Sequence, residues 1–195
     1  MDHFELDLKN LLYDIDEEVD FYLRRRWPAY EQLTGQQTAL DNLLQRRLSP
    51  AAYVLFEDYR YLLTDILADG GHRCWVGGLV LAVRGYLGLP LPPVSELPGA
   101  VLPSAGTPSL AEQRQMLAAH QELRGPLRQL LLAAADDEPL FTAYSGLCLE
   151  LAQRSQLCCL VHGYESCNYL LAQLGYENNS PYSRQLSQRL ADSFR

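Results

Sequence analysis

His162 stands three residues after Cys159 and four after Cys158, so on a helix the three side chains share one face. Cys167 follows about one and a half turns later. His72 and Cys74 make a sparser pair earlier in the chain. Thiolate and imidazole are zinc ligands, which makes Cys158, Cys159, His162 and Cys167 the candidate metal set. The same residues offer a second chemistry, with Cys158 or Cys159 as a nucleophile, His162 as its base and Glu165 orienting the ring. Against the metal, there is no C-x-x-C pair. Against the nucleophile, helix-interior residues on an apolar stripe are seldom exposed, and nothing nearby forms an oxyanion hole. The reading adopted is buried thiols beside a hydrogen-bonded histidine, with no catalytic residue, metal or cofactor assigned. A metal- or small-molecule-binding enzyme using this region is the alternative.

The other chemical signatures are absent from the sequence. It holds no P-loop, dinucleotide fingerprint, G-x-S-x-G, H-E-x-x-H or calcium loop. Gly77-Gly78 lies within an apolar helical pattern and is not a phosphate loop. The five cysteines are odd in number and all fall in apolar helical patterns, which suits free thiols in a reducing cytoplasm. The acidic start MDHFELD does not have the shape of a signal peptide, and the longest apolar run, Cys74 to Val83, is too short to span a bilayer. Together these place the protein in the cytoplasm. With 24 acidic and 16 basic residues the net charge is −8, which disfavours direct binding to nucleic acid or to an anionic membrane.

The elements that must position these residues are helices, and they come twice. Shifting Leu55–Pro90 by 85 residues lays it on Leu140–Gly175 without a gap. Leu55, Phe56, Tyr59, Cys74, Val76 and Gly78 then match Leu140, Phe141, Tyr144, Cys159, Val161 and Gly163. Leu40, Leu43 and Leu44 echo Leu127, Leu130 and Leu131 further upstream. A self-match of this length reads as a duplicated helical unit.

Taken in order, the apolar spacing predicts a first helix over about His3 to Arg26, capped by Asp2, with Asp20 and Arg24 paired one turn apart. Pro28 ends it or starts the next. A second helix is predicted over Gln37–Leu48, and a third from the Ser49-Pro50 cap to Ala68, ended by Gly70-Gly71. A fourth follows over His72–Leu87. Six of the eleven prolines then fall between Gly88 and Pro108, which reads as an extended spacer. The capping box Ser109–Glu112 opens a fifth helix that Gly125-Pro126 should bend or break. A sixth starts near Asp136, Ser155 caps a seventh, and Ser180-Pro181 begins a last helix with Tyr182, Leu186, Leu190 and Phe194 on one stripe.

The fold class expected is therefore an all-α bundle of about eight helices built from two duplicated three-helix units. Its expected divisions are 1–88 (N-terminal helix plus first unit), 89–108 (proline-rich linker) and 109–195 (second unit plus C-terminal helix). Gly78 with Ala82, and Gly163 with Cys167, lie four apart at equivalent places and would give each unit a flat strip for close helix packing.

The two segments Trp75–Ala82 and Leu160–Cys167 share a pattern of aromatic or leucine, two residues, glycine, and a small residue four further on. This pattern resembles uncharacterised small helical proteins of Firmicutes and their phages, which would be represented here as a tandem duplication. The family pattern carries a second glycine where this chain has Ala82 and Cys167. The resemblance implies a helical fold and a phage- or mobile-element-related setting, but no activity. In that setting the partner would be host machinery, such as a nucleic-acid-handling enzyme met by an acidic surface.

Twelve tyrosines add side chains that suit core edges and interfaces equally. By elimination, the function expected is a non-catalytic cytoplasmic protein-binding protein, an adaptor or inhibitor. Its partner would be another protein, not nucleic acid or membrane, and self-association stays open.

Overall fold

The computed structural model describes residues 19–99, 110–132, 137–176 and 181–194. Among these residues the chain is all-α, with no strand. Six α-helices are present. Residues 19–26 form α1, Tyr30–Arg47 α2, Pro50–Tyr86 α3, Leu110–Leu132 α4, Asp137–Gln173 α5 and Pro181–Ser193 α6. A single 3-10 turn, Val94–Glu96, follows α3. The expected cap Asp2 and the apolar positions before residue 19 lie outside the described residues, as do Ser109 and Ser180.

The count of about eight helices is corrected at two places. The breaks expected at Gly70-Gly71 and at Ser155 do not occur, and α3 and α5 each run on unbroken for 37 residues. A glycine in a helix interior costs about 1 kcal/mol relative to alanine, so the pair needs a packing reason to stay helical. Neighbouring side chains supply it. A Cβ on Gly70 would meet the movable amide end of the Gln156 side chain, and one on Gly71 would come into ordinary contact with the sulfur of Cys159 at 3.4 Å. These glycines let α5 come close instead of ending α3. Likewise α4 passes through Gly125-Pro126 without a break. Each half thus contributes one shorter and one long helix, α2 with α3 and α4 with α5, in place of three.

Elsewhere the local signals act as their chemistry requires. Ser49 caps α3, its Oγ accepting from the Ala52 amide at 3.3 Å. Asp20 and Arg24 pair at 2.7 Å on α1. The two long helices end in the same way, with Gly88 at φ 67° and Gly175 at φ 84°. The next amide, of Leu89 or Tyr176, reaches back to the carbonyl of Arg84 or Leu171 at 2.9 Å. This Schellman closure needs a left-handed residue, which glycine adopts without steric cost.

The described chain forms two compact units, and both cut across the divisions expected from the sequence. Among the described residues, unit I comprises 19–30, 70–99, 154–176 and 181–194; unit II comprises 31–69, 110–132 and 137–153. Each therefore draws on both sequence halves. In unit II, Leu44, Phe56, Tyr59, Leu63, Leu127, Phe141, Tyr144 and Cys148 form one buried cluster. Phe56 meets Tyr144 at 5.3 Å between ring centres, and Tyr59 meets Phe141 at 5.2 Å. The Tyr59 hydroxyl donates to Ser145 at 3.2 Å, so its polar tip is satisfied inside the core.

In unit I the core gathers Leu23 of α1, Trp27 just after it, Cys74 and Leu81 of α3, Cys158, Leu160 and Tyr164 of α5, and Leu186 and Leu190 of α6. Trp27 stacks on Phe194 with ring centres 5.2 Å apart and planes 4° from parallel. Part of the expected spacer is built into this unit. Leu97 is buried, Tyr182 donates to the Pro92 carbonyl at 3.0 Å, and Arg189 donates to the Leu97 carbonyl at 3.2 Å.

Candidate functional site

The centre of unit I is the crossing of α3 and α5. A Cβ on Gly78 would fall onto the Leu160 carbonyl oxygen and lie 2.7 Å from the Tyr164 nitrogen. A Cβ on Gly163 would fall onto the Trp75 carbonyl in the same way. At both points backbone meets backbone, and only glycine leaves room for it. Ala82 and Cys167, the small residues four positions further along, are also buried. Within this unit, contacts advance along both helices together, from Gly70 with Gln156 to Gly78 with Tyr164, so the two segments run parallel.

The cysteine–histidine region sits beside this crossing. Cys158, at 0% exposure, and Cys159 are buried, and His162 is half-buried. The Trp75 indole N–H donates to His162 Nδ1 at 3.0 Å. Because indole nitrogen only donates, Nδ1 is the accepting nitrogen and the neutral ring carries its proton on Nε2. Ser166 Oγ lies 3.4 Å from the same nitrogen, and the Tyr22 ring packs edge-on against the imidazole at 4.7 Å. Glu165 accepts from the Tyr22 hydroxyl at 2.7 Å and from Arg26 at 3.3 Å. Its carboxylate thereby ties α1 to α5.

Chemically, this arrangement holds helices together. Burial pushes the Cys158 thiol well above the ordinary range, pushes Cys74 up to about 12, and raises Cys167 as well. A thiol kept protonated by desolvation is a poor nucleophile and a poor ligand. Among the described residues, no group of three or more His, Cys, Asp or Glu side chains is placed to hold a metal ion. Cys158, Cys159, His162 and Cys167 therefore share a region without converging as a ligand set.

A different surface of unit I stands out, and sequence patterns did not mark it. Where α3 and α5 end, Val83, Tyr86, Leu87 and Leu89 on one side and Leu170, Leu174 and Tyr176 on the other are all exposed. Leu87 and Leu170 are each 60% exposed and Leu174 72%. The Tyr86 and Tyr176 rings touch edge-on at 4.8 Å and join the two sides. A signal was available: the closures Leu87-Gly88-Leu89 and Leu174-Gly175-Tyr176 flank each capping glycine with large apolar residues. Whether such residues turn inward depends on what else covers the helix ends, which periodicity does not reveal.

Comparisons of the chain with protein-family models, curated proteins and solved structures find no match. No helix among the described residues is long and apolar enough to cross a membrane.

Proposed function

We propose that this chain is a non-catalytic cytoplasmic binding protein whose ligand is another protein, engaged by the apolar end of the α3–α5 pair in unit I. The observation that carries the reading is the exposure of seven large side chains at the two helix ends, from Val83 to Leu89 and from Leu170 to Tyr176, which the Tyr86–Tyr176 ring contact brings together. Scattered exposed apolar residues are ordinary, but a contiguous group of them marks an interaction surface. Its aromatic members, Tyr86 and Tyr176, are of the type that anchors interfaces. Five buried free thiols suit a reducing compartment. The raised thiols and the non-converging ligands weigh against the enzymatic alternative.

The duplicated origin of the two halves belongs to the same proposal. Reciprocal pairs support it. Phe56–Tyr144 has its counterpart in Tyr59–Phe141, and Gly78 on Leu160 has its counterpart in Gly163 on Trp75, each at the 85-residue offset. Two copies of one unit facing each other would pair in this crossed manner. On this reading the partner is host machinery if the phage-like resemblance holds, with the acidic surface contributing to the encounter.

The test is affinity capture from the lysate of the native host, comparing the wild type with Leu87→Asp/Leu174→Asp at low and high salt. Both sites are exposed, so the variant should melt within about 0.5 kcal/mol of the parent. A protein retained by the wild type and lost with the variant is expected, and loss of that protein at high salt would add the acidic surface to the contact. Identical captures, or none from either, would refute the reading.

A further inference from the structure

Unit I also contains a shallow, open groove that the proposed partner contact does not use. Residues 93–95 form one wall of an open groove of about 730 Å³, and Arg184, Gln185, Gln188, Arg189 and Asp192 of α6 form the other. These α6 positions are the polar face opposite Leu186 and Leu190, which are buried in the core.

Three observations set the chemistry of this groove. Arg189 is held in place, because its Nη2 donates to the Leu97 carbonyl at 3.2 Å, while its buried Nε–H meets no acceptor among the described residues. Arg184 is exposed and makes no hydrogen bond or ion pair with any described residue. It also lies in the first turn of α6, where no acidic residue is present and where the helix dipole disfavours a cation. The placement therefore gains nothing for the helix. The one acid in the groove, Asp192, accepts from the Gln188 amide at 2.9 Å. Two guanidinium groups against one carboxylate make the groove locally positive on a chain whose net charge is −8.

We infer that this groove binds a ligand carrying a compact oxyanion, a carboxylate or a phosphate, with Arg184 and Arg189 as its donors. Guanidinium presents paired N–H groups that match either oxyanion, and an anchored Arg189 loses little freedom on binding. Ser95 and Gln185 stand in the same groove as further hydrogen-bonding groups.

The experiment is a titration of the ¹⁵N-labelled full-length chain, followed by amide shifts, with inorganic phosphate, with succinate and with chloride at matched ionic strength. Saturable shifts of Ser95, Gln185 and Gln188 are expected with phosphate or with succinate but not with chloride, and the responding anion identifies the source. Arg184→Gln should keep the wild-type circular dichroism spectrum and weaken that binding about tenfold, as loss of a charged hydrogen bond does. Arg189→Gln should weaken it as well but also loosens Leu97, so Arg184→Gln is the deciding variant. Shifts that follow ionic strength alone, or an Arg184→Gln protein that binds as tightly as the wild type, would overturn the assignment.

Discussion

Gly78 of α3 and Gly163 of α5 occupy equivalent places 85 residues apart, and each presses against the backbone of the helix that carries the other. The relation is one of carbonyl oxygens and amide nitrogens, which have no rotamer to escape into. It fixes how closely the two helices of unit I approach.

Either glycine should therefore resist even the smallest side chain. Gly78→Ala and Gly163→Ala are expected to destabilise the protein by about 1–3 kcal/mol through overpacking, overriding the helix propensity of alanine. For a chain of this size that is a fall of about 2–4 °C in Tm per kcal/mol. Gly146→Ala is the control, since it lies in the same helix α5 with nothing within 4 Å of the added carbon. It should raise stability by up to about 1 kcal/mol. If all three variants melt alike, the close crossing is absent in solution.

Tyr22 and Glu165 join α1 to α5 by a 2.7 Å hydrogen bond, while Arg26 adds a half-exposed contact at 3.3 Å. The charged hydrogen bond should dominate, because exposed ion pairs contribute little. Tyr22→Phe is expected to cost about 1.5–3 kcal/mol and Arg26→Gln less than about 1 kcal/mol. A double-mutant cycle of Tyr22→Phe with Glu165→Gln should show coupling of about 1 kcal/mol or more. Additive single effects would mean that α1 does not dock through this pair.

Stability should fall under alkaline conditions, and burial is the reason. Desolvation raises Tyr22, Tyr30 and Tyr144 well above their ordinary value of 10.0, takes Tyr182 to about 12, and takes Cys74 from 9.0 to about 12. The folded chain holds these protons after the unfolded chain has released them. The stabilisation is thus complete below about pH 9 and is lost as pH rises through the window to about 12. Denaturant unfolding at steps from pH 8 to 11 should show a steadily falling midpoint above pH 9. Native-state alkylation at pH 8 should leave Cys74 and Cys158 unmodified until denaturant is added. A flat profile with rapid labelling would show that these groups are open to solvent.

The sequence by itself determined the helical character, the apolar stripe of α6 and the Ser49 cap of α3. Leu186 and Leu190 read as an inward stripe of α6 because their spacing matches the helical period, and Ser49-Pro50 reads as a start because serine oxygen supplies a missing acceptor. The importance of Gly78 and Gly163 was also legible, since an internal glycine is costly unless something packs closely on it. The length of α3 and α5 was decided only by tertiary structure. Gly70-Gly71 is a stop signal in isolation, and Gln156 and Cys159 packed against it turn it into a contact. The fate of the cysteines was decided there too. The spacing of Cys158, Cys159 and His162 is compatible with a site, but the indole of Trp75, 87 residues away from His162 in sequence, takes the ring nitrogen while burial keeps Cys158 protonated. Local signals report what a backbone can do by itself. Which glycine ends a helix and which lets another helix in depends on a neighbour that arrives from the other half of the chain.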